Sequence, residues 1–100
     1  MNINIQSVHF APSEALNEKI RQKLEKSFHH YPFITHAEVF LKLQDNESQQ
    51  KQIMEIKLEL SNGELFAESR AEDFYKGLDQ NIEKLKRQLE KYKDKAYSHR

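Results

Sequence analysis

The residues of this sequence best suited to a chemical task are the lysines and arginines near its C-terminal end. The segment 83–95, EKLKRQLEKYKDK, contains six Lys or Arg and three Asp or Glu, a local net charge of +3. Ammonium and guanidinium groups bind phosphates, and a protein that neutralises several phosphates releases their counterions. The whole chain nevertheless has 16 basic and 16 acidic residues. Binding of a polyanion therefore requires that these charges be sorted to one part of the surface.

Other residue types that carry chemistry do not form a catalytic or metal-binding pattern. The chain has no Cys, and it contains no GxSxG, Walker or HExxH signature. His29, His30 and His36 are close in sequence, but adjacent helical residues point about 100° apart and no i, i+4 pair exists among them. The sequence therefore predicts no enzyme, no metal, no cofactor and no small-molecule substrate.

Two amphipathic helices must position the cations. Ser13 is a suitable N-cap for the first helix, and Pro32 ends it. Its apolar stripe consists of Leu16, Ile20, Leu24 and Phe28. The second helix begins near Glu72 or Asp73 and has the stripe Phe74, Leu78, Ile82, Leu85, Leu89, Tyr92 and Ala96. Gly77 interrupts this helix at a cost of about 1 kcal/mol relative to Ala, which predicts close packing there.

Alternating apolar and polar residues predict the strands. They cover residues 2–7, 37–43, 54–60 and the segment after 63, and the polar run 44–52 predicts a loop. Asn62-Gly63 predicts a type I′ hairpin turn, which needs positive φ at both residues. That turn would pair Leu60 with Leu65 and Leu58 with Ala67 on one apolar face.

The predicted order is β-α-β-β-β-α, in a single domain that spans residues 1–100. Two amphipathic helices and a sheet with one apolar face can bury their apolar surfaces in two layers, with both helices packed on that face. We therefore predict an α+β fold with a four-stranded sheet, and the pattern leaves the strand order open. No segment has the features of a signal peptide or the length of an apolar membrane span, which predicts a cytoplasmic protein.

Helical geometry sorts the cations into one row on each helix. In the second helix, four residues fall within about 80° beside the apolar stripe: Lys84, Arg87, Lys91 and Lys95. In the first helix, Lys19, Lys23 and Lys26 form a row that His30 continues. Both rows are displaced from their stripes in the same rotational sense, so helices lying side by side would present two rows to one polyanion. Such rows are also typical of a solvated face whose aliphatic stems cover the core edge, and the pattern leaves both interpretations open.

Four segments together resemble the ribosome hibernation promoting factor family, also called ribosome-associated inhibitor A or sigma-54 modulation proteins. They are SEAL at 13–16, SNGELFAES at 61–69, EDFYKGLD at 72–79 and EKLKRQLEKYKDK at 83–95. The most specific part is the run Asp73, Phe74, Tyr75, Asp79, Lys84, Leu85, Arg87, Gln88, Leu89 and Lys91. The resemblance implies a β-α-β-β-β-α fold similar to double-stranded RNA-binding domains.

The resemblance also implies a function. Such proteins bind the small ribosomal subunit at the decoding channel, where mRNA and tRNA would sit, contact 16S ribosomal RNA, and inhibit translation under stress or in stationary phase. This chain resembles the short type, which promotes 100S ribosome dimers with a separate ribosome modulation factor. It would then be ribosome-associated in the cytoplasm and a monomer when free.

The older family name implies an alternative, in which the chain regulates transcription by binding a protein such as a sigma factor. Phe40 and Phe66, on the predicted solvated face of the sheet, would then contact the partner. The same aromatic residues could instead stack on bases of single-stranded RNA.

Carried over by position, the resemblance implies a set of RNA-binding residues on the two helices. Asn17 falls where relatives often have Arg, and the resemblance implies that Lys19 compensates for it. The predicted RNA-binding residues are Lys19, Lys23, Lys26, Lys84, Arg87, Gln88, Lys91, Lys93 and Lys95.

Overall fold

Six elements follow one another in the predicted order. The computed structural model describes the backbone of residues 1–45 and 50–98, and the side chains of residues 1–44 and 51–93. The elements are β1 (Asn2–Ser7), α1 (Glu14–Phe28), β2 (Ile34–Asp45), β3 (Gln50–Leu60), β4 (Gly63–Ala71) and α2 (Phe74–Ser98). Strands β2 and β3 extend into the predicted loop 44–52, of which residues 46–49 lie outside the described part.

The four strands form one mixed sheet in the order β1-β2-β3-β4. Strand β1 pairs with β2 in parallel, and the other two pairings are antiparallel. A parallel pair needs a crossover connection, and α1 supplies it. Because β1 and β4 run in the same direction and each is followed by a helix that returns along the sheet, α1 and α2 run parallel to each other. This strand order settles what the sequence pattern left open.

The core lies between the sheet and the two helices. The α1 stripe is buried as predicted, and Leu78, Leu85 and Leu89 of α2 are fully buried against the same core. Each strand contributes alternate residues, such as Val39 of β2 and Ile56 of β3. The predicted two-layer α+β architecture is therefore confirmed, with both helices on one face.

Side chains cap the N-termini of both helices. Ser13 has extended backbone angles (φ −67°, ψ 155°), and its Oγ accepts a hydrogen bond from the Leu16 N–H at 3.1 Å. At the start of α2, the Asp73 carboxylate accepts from the Lys76 N–H at 2.8 Å. Each helix thus begins within a residue or two of the predicted position.

The predicted register of the β3–β4 hairpin is wrong by two residues. Leu58 pairs with Leu65 and Leu60 pairs with Gly63, so the loop consists of Ser61 and Asn62. Gly63 has a φ of +140°, whereas Asn62 does not have a positive φ, and the type I′ turn is therefore not formed. A shift of two residues keeps every side chain on its face, which is why the apolar face was still predicted correctly.

The predicted close packing at Gly77 is confirmed. A Cβ placed there would lie 2.6 Å from Oγ of Ser69, a buried residue of β4. Within the described residues, that Oγ has no hydrogen-bond partner. Gly77 therefore allows α2 to approach β4 closely.

A double-mutant cycle tests this contact. In a Ser69→Ala background, Gly77→Ala is expected to raise the free energy of unfolding by about 1 kcal/mol, because Ala favours helix and no Oγ obstructs the new methyl group. Gly77→Ala alone is expected to be less favourable, since it must displace Oγ. Urea denaturation of both single variants and the double variant measures the coupling. Additive effects of the two substitutions would contradict the close contact.

Candidate nucleic-acid interface

The helical layer carries the positive charge of the chain. Helices α1 and α2 contain eleven Lys or Arg and seven Asp or Glu, a net charge of +4. The four strands contain four Lys or Arg and six Asp or Glu, a net charge of −2. Both helices lie on one face of the sheet, so a positively charged helical layer covers a negatively charged sheet. The net charge of the whole chain is zero because these two charges and those of the connecting segments cancel. Charge is therefore sorted between the two layers.

The basic row of α1 faces α2. Lys23 Nζ lies 2.8 Å from Oδ1 of Asp79 on α2, and this ion pair joins the two helices. A pocket of about 500 Å³ lies between the helices, lined by Lys23, Lys26, Ser27, His30, Tyr31 and Lys86. Within this pocket, hereafter the interhelical pocket, the α1 row meets Lys86 of α2.

The basic row of α2 lies on the opposite flank of that helix, toward the β4 edge. Lys84 Nζ donates a hydrogen bond to the backbone carbonyl of Glu68, and Gln88 Nε2 donates to that of Phe66 at 2.8 Å. The two rows therefore lie on separate lines of the helical layer and do not face one another. The two helices run parallel, and each basic row is displaced from its apolar stripe in the same rotational sense. Both rows therefore point toward the same side of the molecule. As a result, the α1 row faces α2, whereas the α2 row faces away from α1.

The sequence reasoning missed Lys86. Lys86 is not among the predicted RNA-binding residues, yet it lines the interhelical pocket together with Lys23 and Lys26. Which flank of α2 faces α1 depends on the strand order and on the side taken by the crossover helix. Neither the strand order nor the side of the crossover helix can be determined from one helix alone. The sequence therefore shows that Lys86 is charged but does not show that it faces α1.

The other predicted residues occupy three different surroundings. Arg87 and Lys91 are exposed on α2, and Lys19 is exposed on α1. In the part of the chain with described side chains, these three residues form no ion pair. Lys93 Nζ lies 5.9 Å from the centre of the Tyr31 ring. The side chain of Lys95 lies outside the described residues.

Polar side chains of the helices cap both edges of the sheet. Arg21 Nη1 of α1 donates to the carbonyl of Ile3 in β1 at 3.0 Å. Lys84 and Gln88 make the corresponding contacts along β4. Unpaired edge carbonyls invite pairing with another strand, and these contacts satisfy some of them. Lys84 and Gln88 therefore have a structural contact in addition to any role in binding.

On the outer face of the sheet, several basic side chains pair with acidic ones. Lys42 Nζ lies 2.9 Å from Glu55 Oε2, and the other pairs of this face include Arg70 with Glu68 and Lys57 with Glu64. Phe66 is 49% exposed on this face, whereas Phe40 is half-buried. The two rings are on β2 and β4 with β3 between them, so they do not form one continuous stacking platform.

Two further features bear on function. Among the residues that the structure describes, no three His, Asp or Glu side chains converge in an arrangement that could hold a metal ion. Neither helix, over its described length, has a stretch of 18 residues apolar enough to cross a membrane.

The fold is shared with solved structures of other proteins. A ribosomal subunit interface protein from Coxiella burnetii superposes with a TM-score of 0.75 at 27% identity, covering 93% of this chain and 98% of that one. The N-terminal domain of Protein Y from Thermus thermophilus superposes with a TM-score of 0.78 at 22% identity, covering 92% and 99%. The second likeness shows the fold alone.

The chain belongs to the family described as Sigma 54 modulation protein / S30EA ribosomal protein, whose model matches residues 3–97. A ribosome hibernation promoting factor from Pseudomonas putida is 34% identical over 98 residues, which are 98% of this chain and 92% of the relative. The Escherichia coli protein of the same name is 31% identical over 99 residues, which are 99% and 100%. The family resemblance found in the sequence is therefore confirmed, and these names describe ribosome-related factors and no enzyme.

Proposed function

We propose that this protein is a ribosome hibernation factor that binds the small ribosomal subunit and inhibits translation under stress or in stationary phase. The observation that carries the proposal is the net charge of +4 on the helical layer, against −2 on the strands. RNA is the polyanion of the ribosome, and phosphate contacts supply most of the electrostatic part of RNA binding. Family membership and the names of the relatives point to the same partner.

The proposed mechanism is occlusion of the decoding channel, without chemical catalysis. Lysine and arginine side chains of the helical layer bind phosphates of 16S ribosomal RNA, while the two-layer body fills the space that mRNA and tRNA would take. Shape and backbone contacts set the specificity, as is usual for proteins that recognise folded RNA. Formation of 100S dimers with a ribosome modulation factor is part of the same proposal.

The proposed contacts fall in two parallel lines, because adjacent helices pack with their axes about 8–10 Å apart. The line on α1 contains Lys19, Lys23 and Lys26, and Lys93 of α2 lies beside it, with its Nζ 5.9 Å from the centre of the Tyr31 ring. The line on the outer flank of α2 contains Lys84, Arg87, Gln88, Lys91 and Lys95. Of these, Arg87 and Lys91 are exposed and carry no structural contact such as that of Lys84, so they are the cleanest residues for a test.

The protein is expected to sediment with the 30S and 70S particles of its source cells at low salt, and to leave these fractions as the salt concentration rises several-fold. If about five phosphates are contacted, the affinity falls by orders of magnitude over that range. Sucrose gradients of stationary-phase lysate with immunoblotting measure this, and comparison of the 30S, 70S and 100S peaks with and without the protein tests dimer formation.

Purified 50S subunits serve as the control particle for this experiment, since the proposal places the site on the small subunit. Equal binding to both subunits, or binding that resists high salt, would contradict the proposal. Capture of a protein partner that resists nuclease and salt, and is lost on Phe66→Ser, would favour the alternative of a transcription regulator.

A further inference from the structure

The interhelical pocket brings together cations from two helices that are far apart in sequence. Lys26 lies in the last turn of α1, and Lys86 lies in the middle of α2. Both line the same pocket of about 500 Å³, together with the hydroxyl-bearing residues Ser27 and Tyr31 and the imidazole of His30. The pocket therefore offers the ammonium groups of Lys26 and Lys86, that of Lys23, which is paired with Asp79, and three further hydrogen-bonding groups.

The positive charge of this pocket is not cancelled by the nearest acids. Lys23 is paired with Asp79, but Lys26 and Lys86 take part in no ion pair among residues 1–44 and 51–93. Glu83 and Glu90 precede and follow Lys86 by three and four residues, spacings at which helical ion pairs commonly form. Lys86 nevertheless lines the interhelical pocket rather than pairing with either of them.

The helix dipole explains only one of these two lysines. Lys26 is in the last turn of α1, where the backbone carbonyls favour a cation. Lys86 is three turns away from either end of α2, where that effect has decayed. A bound anion would account for both residues, because it offsets the repulsion between two ammonium groups that line one pocket.

Aromatic packing holds the wall of the pocket in place. The Tyr31 ring lies 6.4 Å from Phe28, 5.7 Å from Phe33 and 4.4 Å from His30, measured between ring centres. Phe28 is fully buried in the core. A wall fixed in this way reduces the conformational entropy that a ligand must remove on binding.

We propose that the interhelical pocket binds a phosphate group. Lys26 and Lys86 supply the charge-assisted hydrogen bonds, and Ser27, His30 and Tyr31 supply further donors. Under the proposed function, on which this identification of the source rests, the ligand is a backbone phosphate of ribosomal RNA. A free phosphate compound from solution has the same chemistry, and the experiment separates these two sources.

The test is an NMR titration of the full chain with inorganic phosphate, at an ionic strength kept constant with chloride. Saturable shifts are expected at the amides of Ser27, His30, Tyr31 and Lys86. Lys86→Gln is expected to raise the dissociation constant by about tenfold or more, since it removes a charge-assisted hydrogen bond. The matched control is Lys76→Gln, which makes the same charge change in the first turn of α2, where Lys76 pairs with Glu72. Lys76→Gln is expected to leave the dissociation constant unchanged.

The phosphate site would be overturned if the NMR shifts were no larger in phosphate than in chloride. It would also be overturned if Lys86→Gln and Lys76→Gln lost equal affinity for phosphate. Binding of Lys86→Gln to purified 30S subunits then identifies the source. A loss of about tenfold supports a backbone phosphate of RNA, whereas unchanged binding overturns that source in favour of a free phosphate compound. Should the unaltered protein fail to bind 30S subunits while the phosphate titration succeeds, the proposed function fails and the pocket remains a phosphate site.

Discussion

The double variant Arg87→Glu/Lys91→Glu is expected to lose affinity for the small ribosomal subunit by about 100-fold or more. Both side chains are exposed on the outer flank of α2. Each is assigned one phosphate contact, and a hydrogen bond to a charged group contributes about 1.5–3 kcal/mol. The two substitutions also place carboxylates next to the RNA, and these repel its phosphates. Sedimentation or fluorescence binding with purified 30S subunits measures the loss.

The salt dependence of binding provides a second readout for the same variant. The slope of log K against log salt should become shallower by about 0.7–0.9 for each phosphate contact that is lost. A variant that had lost its fold would show an altered circular dichroism spectrum. The two readouts together separate lost phosphate contacts from unfolding.

The matched control is Lys57→Glu/Arg70→Glu, which makes the same change in net charge on the outer face of the sheet. Those residues pair with Glu64 and Glu68, and exposed ion pairs of this kind contribute at most about 1 kcal/mol to stability. The control variant is expected to fold and to bind the 30S subunit nearly as well as the unaltered protein. Equal losses in the two double variants would show that net charge, rather than the helical layer, governs binding.

Lys84 belongs to the same row as Arg87 and Lys91 but is unsuitable for the binding experiment. Its ammonium group donates to the carbonyl of Glu68 at the β4 edge. A change at Lys84 would therefore alter the contact between α2 and the sheet, and lost binding could not be assigned to a phosphate. The structure thus distinguishes residues that the sequence pattern treated as equivalent.

The features predicted well from the sequence are those fixed by neighbouring residues. The α1 stripe follows from the helical period, and the helix start follows from Ser13 and the backbone N–H groups it can cap. The apolar face of the sheet follows from alternation alone, which is why a shift of two residues in the β3–β4 register did not disturb it.

The features that were missed depend on contacts between distant segments. The sequence shows that Lys84 and Lys86 lie on different flanks of α2, but only the strand order decides which flank faces α1. Ser69 and Asn81 are buried polar residues that lie on the apolar faces of their elements. A polar residue at an apolar position is a signal that the sequence does contain, since Asn81 lies between Leu78 and Ile82 in the α2 stripe.

Asn81→Asp is expected to lower the free energy of unfolding by about 3–5 kcal/mol at neutral pH. Asn81 is fully buried, and its Nδ2 donates to the carbonyl of Met54 in β3 at 2.9 Å. An ionised carboxylate cannot donate this bond, so two oxygens would face each other where water is excluded. Within the described residues, Asn81 Oδ1 has no hydrogen-bond partner, so no nearby donor is in place to compensate the charge. Urea denaturation measures the loss, and Asn81→Ala isolates the part that is due to the missing hydrogen bond, about 1–3 kcal/mol.

The pH dependence of this variant identifies the buried charge as the cause. Burial raises the pKa of the new carboxyl above the value of about 3.9 that it has in the unfolded chain. Between these two pKa values the native state binds more protons than the unfolded state, so stability rises as the pH falls. Once protonated, the carboxyl can also donate to the Met54 carbonyl and replace the lost bond. The deficit of Asn81→Asp relative to Asn81→Ala should therefore shrink between about pH 7 and about pH 5, and a deficit that stays constant over this range would mean that the packing of α2 against β3, rather than charge burial, sets the cost.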